Sequence, residues 1–239
     1  MRIARRTGWG FLCLWVLLLT LPAGAKTKVE LELVLAIDTS TSVSAEEFNL
    51  QRKGIAQAFL HPRVLTAIEG LGKEGMAVAV VQWAGGQAQR LAVDWTHVND
   101  NASAIRLADQ ISKMPRYLDG FTDIANAIDY SAQQIARNEF AGRRLTIDVS
   151  GDGTSDRNDP ARARDRAVNN GIIVNGLVIH SVEYDLGDLA RHELRTHYRD
   201  RVIGGPGAFL LNAESFETFG ESMRMKLFRE ISGPLFAKY

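Results

Sequence analysis

The chain has a single cysteine, Cys13, and only six prolines in 239 residues. Cys13 lies inside an N-terminal apolar run. Beyond that run no disulfide and no thiolate metal site can be built, so stability must come from a packed core. An excess of charge of one sign is also missing, because 28 basic and 28 acidic side chains cancel. That balance excludes the basic footprint of a nucleic-acid or anionic-lipid binder. The sequence contains no internal repeat, no low-complexity tract and no interdomain linker. Its length suits one large domain with a single core.

The N-terminus reads as a secretory signal. Arg2, Arg5 and Arg6 form a basic start, Phe11 to Leu21 is strongly apolar, and Ala23-Gly24-Ala25 supplies small residues for cleavage. The competing reading is a retained membrane helix. The apolar run falls short of the ~20 residues a span needs, and no stop-transfer pattern follows. Arg5-Arg6 hints at twin-arginine export, and Cys13 lacks the small residues that precede a lipoprotein cysteine. The expected division is a signal peptide over 1–25 and a domain over 26–239, with no membrane span left after cleavage. Cleavage removes three arginines and no acid, leaving a net charge of −3. A bacterial periplasmic or secreted location follows from this reading.

Strand and helix patterns alternate along the remainder. Val29 to Ile37 turns from alternating to continuously apolar, as a strand entering the middle of a sheet does. Ser44 with Glu47 forms a capping box opening a helix faced by Phe48, Ile55, Ala56 and Phe59, with His61-Pro62 at its end. Met76 to Trp83 is a second apolar strand, and Gln89 to Val93 a short edge strand. Ala104, Leu107, Ala108, Ile111 and Met114 stripe a helix stopped by Pro115. Ile124, Ile128, Ser131 and Ile135 stripe the next. Arg143 to Ser150 is a strand. Asp159 and Pro160 then open a helix that Gly171 closes. Ile172 to Ile179 is a strand, and 185–205 reads as a helix and a loop. Phe209 to Leu211 is a short strand, and Phe216, Phe219, Met223 and Leu227 stripe a final helix. The fold class is a doubly wound α/β sheet, mainly parallel, with helices on both faces.

Such sheets bind ligands at the carboxyl ends of their strands, near the point where strand order reverses. Three segments sit there. The first strand ends in Asp38-Thr39-Ser40-Thr41-Ser42. Gly120-Phe121-Thr122-Asp123 precedes the helix of Ile124. Ser150-Gly151-Asp152-Gly153 closes the strand from Arg143. Together they offer hydroxyls and carboxylates, with no thiolate and no histidine. Hard oxygens of this kind favour Mg²⁺, Mn²⁺ or Ca²⁺ over zinc or copper. The spacing of Asp38, Ser40 and Ser42 puts the three on one side of an extended strand end.

Asp-x-Ser-x-Ser after a central apolar strand, a later threonine, and an Asp-Gly closing another apolar strand resemble the metal-ion-dependent adhesion site of von Willebrand factor A domains. The resemblance runs from about Val29 to the final helix and extends to exported bacterial A-domain-like proteins. It implies a divalent-metal site at Asp38, Ser40, Ser42, Thr122 and Asp152, with the three hydroxyls coordinating directly and the aspartates directly or through water. It also implies a protein partner whose Asp or Glu carboxylate completes the metal. Two positions depart from the family pattern. Ile124 stands where a second hydroxyl is common, and Asp123 adds a negative charge that would either cap the following helix or support the site.

Several other signals have ordinary explanations. Gly70-Leu71-Gly72-Lys73-Glu74-Gly75 matches a dinucleotide fingerprint, but it precedes a strand instead of following one, as a turn does. His192 and His197 are five apart, so a helix would point them to different faces. Ser150-Gly151-Asp152-Gly153-Thr154 echoes a phosphatase loop but has Ser150 where the nucleophilic carboxylate belongs. Asp148, inside an apolar strand, reads as a structural acid or as support for the site, and His180 as a core or rim histidine. The expected function is a non-catalytic, metal-dependent protein-binding module. The alternatives are a Mg²⁺-dependent phosphate-ester hydrolase, with Asp123 as its candidate base, and an assembly subunit whose metal stabilises loops.

Overall fold

A computed structural model describes residues 25–155, 157–180 and 187–233. The expected signal peptide lies outside these residues. A six-stranded sheet runs through the molecule in the order β3-β2-β1-β4-β5-β6. Its strands are β1 (Thr27–Asp38), β2 (Met76–Trp83), β3 (Gln89–Val98), β4 (Phe140–Gly151), β5 (Ile172–Ile179) and β6 (Leu210–Ala213). All neighbours pair in parallel except β2 and β3, which are antiparallel. The edge strand β3 extends five residues past the Val93 expected from sequence. Polar Asp94, Thr96 and His97 hid this half, because an edge strand needs only a partial apolar face.

The apolar runs of β1 and β2 are buried on both sides of the sheet. Leu31, Leu33, Leu35 and Ile37 join one core with α1 (Ala45–Phe59), α2 (Pro62–Gly70), α3 (Asn101–Lys113) and α7 (Phe219–Ser232). Val34 and Ala36 join the other, with α4 (Ile124–Arg137), α5 (Pro160–Asn169) and a π-helical turn at Tyr198–Val202. The helix α6 (Gly187–His197) leads into that turn.

Most helix boundaries obey their local signals. Ser44 and Glu47 form the reciprocal capping box of α1, and Asp159 caps α5 with Pro160 in its first turn. Three expectations change. Pro62 does end α1, but it also opens α2, since His61 accepts a hydrogen bond from the Arg63 amide and proline suits the first helical position. Phe216 is buried in the turn before α7 and lies outside the helix. The buried face of α7 also carries Lys226 and Glu230 beside Met223 and Leu227, a feature that an apolar stripe conceals.

The site lies where the strand order reverses. β1 leads outward to β2 and β3 on one side, whereas β4, β5 and β6 lie on the other. The loops after β1 and β4 therefore leave the sheet in different directions and open a crevice between them.

Candidate metal centre

Asp38 closes β1 and is fully buried. Its Oδ1 accepts a 2.8 Å hydrogen bond from the Ser40 amide, which turns the chain tightly after the strand. The hydroxyls of Ser40 and Ser42 are 3.1 Å apart, and Ser42 Oγ donates to Asp152 Oδ1 at 2.8 Å. A continuous chain of oxygens thus links the end of β1 to the loop after β4. Thr122 arrives from a third segment, its side chain beside Gly153, so that a Cβ there would be 3.6 Å from Thr122 Oγ1. The three segments picked from sequence converge on one crevice.

The loops are held from outside. Gln51 on α1 donates to the Asp38 carbonyl, and Thr39 is bound by backbone and side chain to the Trp83 carbonyl. Thr41 bonds to the Gly120 carbonyl through both its amide and its hydroxyl, tying the first loop to the threonine loop. Arg116 spans the carbonyls of Thr39 and Ser40 at 3.0 and 3.1 Å. Sequence reasoning missed Gln51 and Arg116, because nothing in their neighbourhood marks them as supports.

Asp123 is not part of the oxygen chain. Its Oδ1 accepts from the Asn126 amide, capping α4, and its Oδ2 accepts from the side-chain amides of Asn126 and Asn158. Ile124 is fully buried, which accounts for the apolar residue where a hydroxyl is common. His192 faces solvent at an exposed position and His197 is only partly buried. The glycine-rich stretch before β2 is a turn in which Gly72 and Gly75 take positive φ.

The electrostatics are those of a site short of positive charge. Burial raises the Asp38 carboxyl to about 8, and the nearby Asp152 adds to the effect. Burial also raises Asp152, with Glu47 contributing and the Ser42 hydrogen bond opposing. Asp38 Oδ2 is buried with no hydrogen-bond partner. A buried carboxylate with an unpartnered oxygen beside a second, partly buried one favours a proton or a cation over two free anions. Among the described residues no three His, Cys, Asp or Glu side chains cluster as a metal site. The donor set here is instead two carboxylates supplemented by hydroxyls, which suits a hard divalent ion retaining water.

A family model described as a protein of unknown function, DUF1194, matches residues 28–235. The chain belongs to this family. No curated protein matches this DUF1194 member in sequence. Its fold is that of von Willebrand factor A domains, seen in the SpRpn10 VWA domain at 12% identity and a TM-score of 0.59, over 84% of this chain and 98% of that one. The pilus adhesin SpaC from Lactobacillus rhamnosus GG matches at 13% identity and a TM-score of 0.59, over 85% of this chain and 30% of that one. Proximal thread matrix protein 1 from the mussel byssus, with zinc occupying its adhesion-site motif, matches at 15% identity and a TM-score of 0.54. That match covers 85% of this chain and 46% of the mussel chain. The DUF1194 chain therefore spans less than half of the mussel and pilus chains.

Proposed function

We propose that this protein is an exported, metal-dependent protein-binding module. Its divalent cation is held by Asp38, Ser40, Ser42, Thr122 and Asp152, and an acidic side chain of the partner completes the coordination. The observation that carries the reading is the bonded chain Ser40–Ser42–Asp152 beside the unpartnered Asp38 Oδ2. Mg²⁺ or Mn²⁺ suits such a small oxygen site, and Ca²⁺ is the third choice. The zinc in the mussel neighbour's motif supports a divalent ion without selecting the element. When bound, the ion supplies an electron-poor centre open to a carboxylate. The chain's own residues hold the loops and shape the rim.

That rim offers further contacts. Phe121, next to Thr122, is 64% exposed, and the Arg157 guanidinium lies 4.8 Å from its ring centroid. An aromatic face and a cation beside the site suit a partner carrying acidic residues. The hydrolase alternative leans on Asp123 as base, and both oxygens of that carboxylate are engaged in hydrogen bonds.

Among the described residues no helix is long and apolar enough to cross a membrane. Export rests on the N-terminal signal pattern. The test of the whole reading is affinity capture from the native envelope with Mg²⁺ and with EDTA. Proteins retained only with Mg²⁺, and lost with Asp152→Ala, are the expected result. Identical capture under both conditions would overturn it.

A further inference from the structure

Tyr198 is fully buried, yet its hydroxyl has no hydrogen-bond partner among the described residues. A buried phenol without a partner is costly unless the site gives it a role. The hydroxyl lies against the metal centre. A Cβ at Gly151 would stand 2.7 Å from Tyr198 Oη and 2.8 Å from Asp38 Oδ2. The two unpartnered oxygens, one donor and one acceptor, therefore crowd the same side of one glycine.

The slot for this ring crosses two strands. At Gly176 on β5 a Cβ would come within 3.1 Å of Tyr198 Cδ1, and at Gly151 on β4 it would meet the hydroxyl. Neither glycine has a positive φ, so the vacant Cβ space and not backbone freedom explains them. The ring thus runs under the sheet's end from β5 toward the last residue of β1. Tyr198 also opens the π-helical turn, which Ile203 closes by donating its amide to the Tyr198 carbonyl at 3.0 Å. Such turns are uncommon and often occur at functional sites. A phenol carries its proton at neutral pH, so the group is a donor.

We propose that Tyr198 is a positioning residue of the metal centre, whose hydroxyl stands beside the free Oδ2 of Asp38 without bonding to it in this structure and confines that carboxylate to its binding orientation. The inference rests on the metal reading above. It adds a contribution from the segment between β5 and β6, far in sequence from the three loops. Groups that orient metal ligands in this way commonly change metal affinity by tenfold or more when removed.

The test is Mn²⁺ titration by calorimetry, with electron paramagnetic resonance of the bound ion, on the full-length chain, Tyr198→Phe and Gly151→Ala. Tyr198→Phe removes one oxygen and keeps the ring in its slot. The expected result is affinity lowered about tenfold and an altered Mn²⁺ spectrum, with circular dichroism unchanged. Gly151→Ala, which pushes a methyl between the two oxygens, should weaken binding likewise. Wild-type affinity and an unaltered spectrum in Tyr198→Phe would overturn the proposal while leaving the metal site intact. Failure of the unmutated chain to bind Mn²⁺ is a separate result, and it would overturn both readings.

Discussion

Ser42 donates a 2.8 Å hydrogen bond to Asp152 across 110 positions of sequence, joining the loops after β1 and β4 at the point where the sheet reverses its order. Neither residue belongs to a core cluster. The bond orders two loops that share no strand pairing at their tips, so a ligand bound there senses both halves of the sheet.

Removing either carboxylate should end metal binding and spare the fold. In calorimetry Asp38→Ala and Asp152→Ala are expected to show no heat of Mg²⁺ or Mn²⁺ binding. Both should keep wild-type circular dichroism, since losing one of two neighbouring carboxylates relieves their mutual repulsion. For the unmutated chain, metal at a hundred times its dissociation constant should raise stability by about 2.7 kcal/mol, reversibly with EDTA. Undiminished binding in both variants would remove the assignment.

The rim should control the partner and not the ion. Arg157→Glu is expected to weaken capture of an acidic partner by tenfold or more while Mn²⁺ affinity stays within twofold, since like-charge contacts cost affinity chiefly at the interface. Phe121→Ala should act in the same direction more mildly. Parallel measurement of partner and metal binding separates the two effects.

Beneath α7, Lys226 Nζ lies 3.1 Å from Asp148 and 2.9 Å from Glu230, all three buried. Asn175 donates to the same Glu230 oxygen, and Arg144 bonds to the carbonyls of Glu230 and Ile231. Lys226→Met leaves two buried acids without their cation. It should destabilise the protein by about 3–5 kcal/mol in urea unfolding. Adding Asp148→Asn should recover part of that loss, a coupling that independent sites would not show.

Burial raises the Asp148 carboxyl to about 7, with Lys226 opposing and Glu230 adding to the rise. A carboxyl whose folded value exceeds its unfolded one binds more protons when folded, so its contribution is complete below about pH 4. It is lost as pH rises through about 7. Thermal unfolding of wild type and Asp148→Asn, followed from pH 5 to 8.5, should therefore diverge. Wild type should lose stability relative to the variant across this range, and parallel curves would contradict the shift.

The sequence alone determined the doubly wound sheet and picked out the three segments that converge on its crevice. Continuous apolar runs ending in short oxygen side chains are local signals, readable in windows of a few residues. The same local signals identified the caps at Ser44 and Asp159 and the turn before β2. The five residues Asp38, Ser40, Ser42, Thr122 and Asp152 came as a set only from the resemblance to von Willebrand factor A domains. Tertiary structure decided the rest. Asp123 could have capped a helix or faced the crevice until Asn126 and Asn158 were seen to occupy its carboxylate. Asp148 in β4 acquired its partner from a helix 78 positions later, and α7 concealed Lys226 within an apolar stripe. Tyr198 gave no signal at all, because its place depends on two glycines in separate strands and on a π-helical turn. Periodicity reports which way a side chain faces within its own element. What it meets there is settled only when distant elements pack, since burial and pairing are properties of the assembled layers.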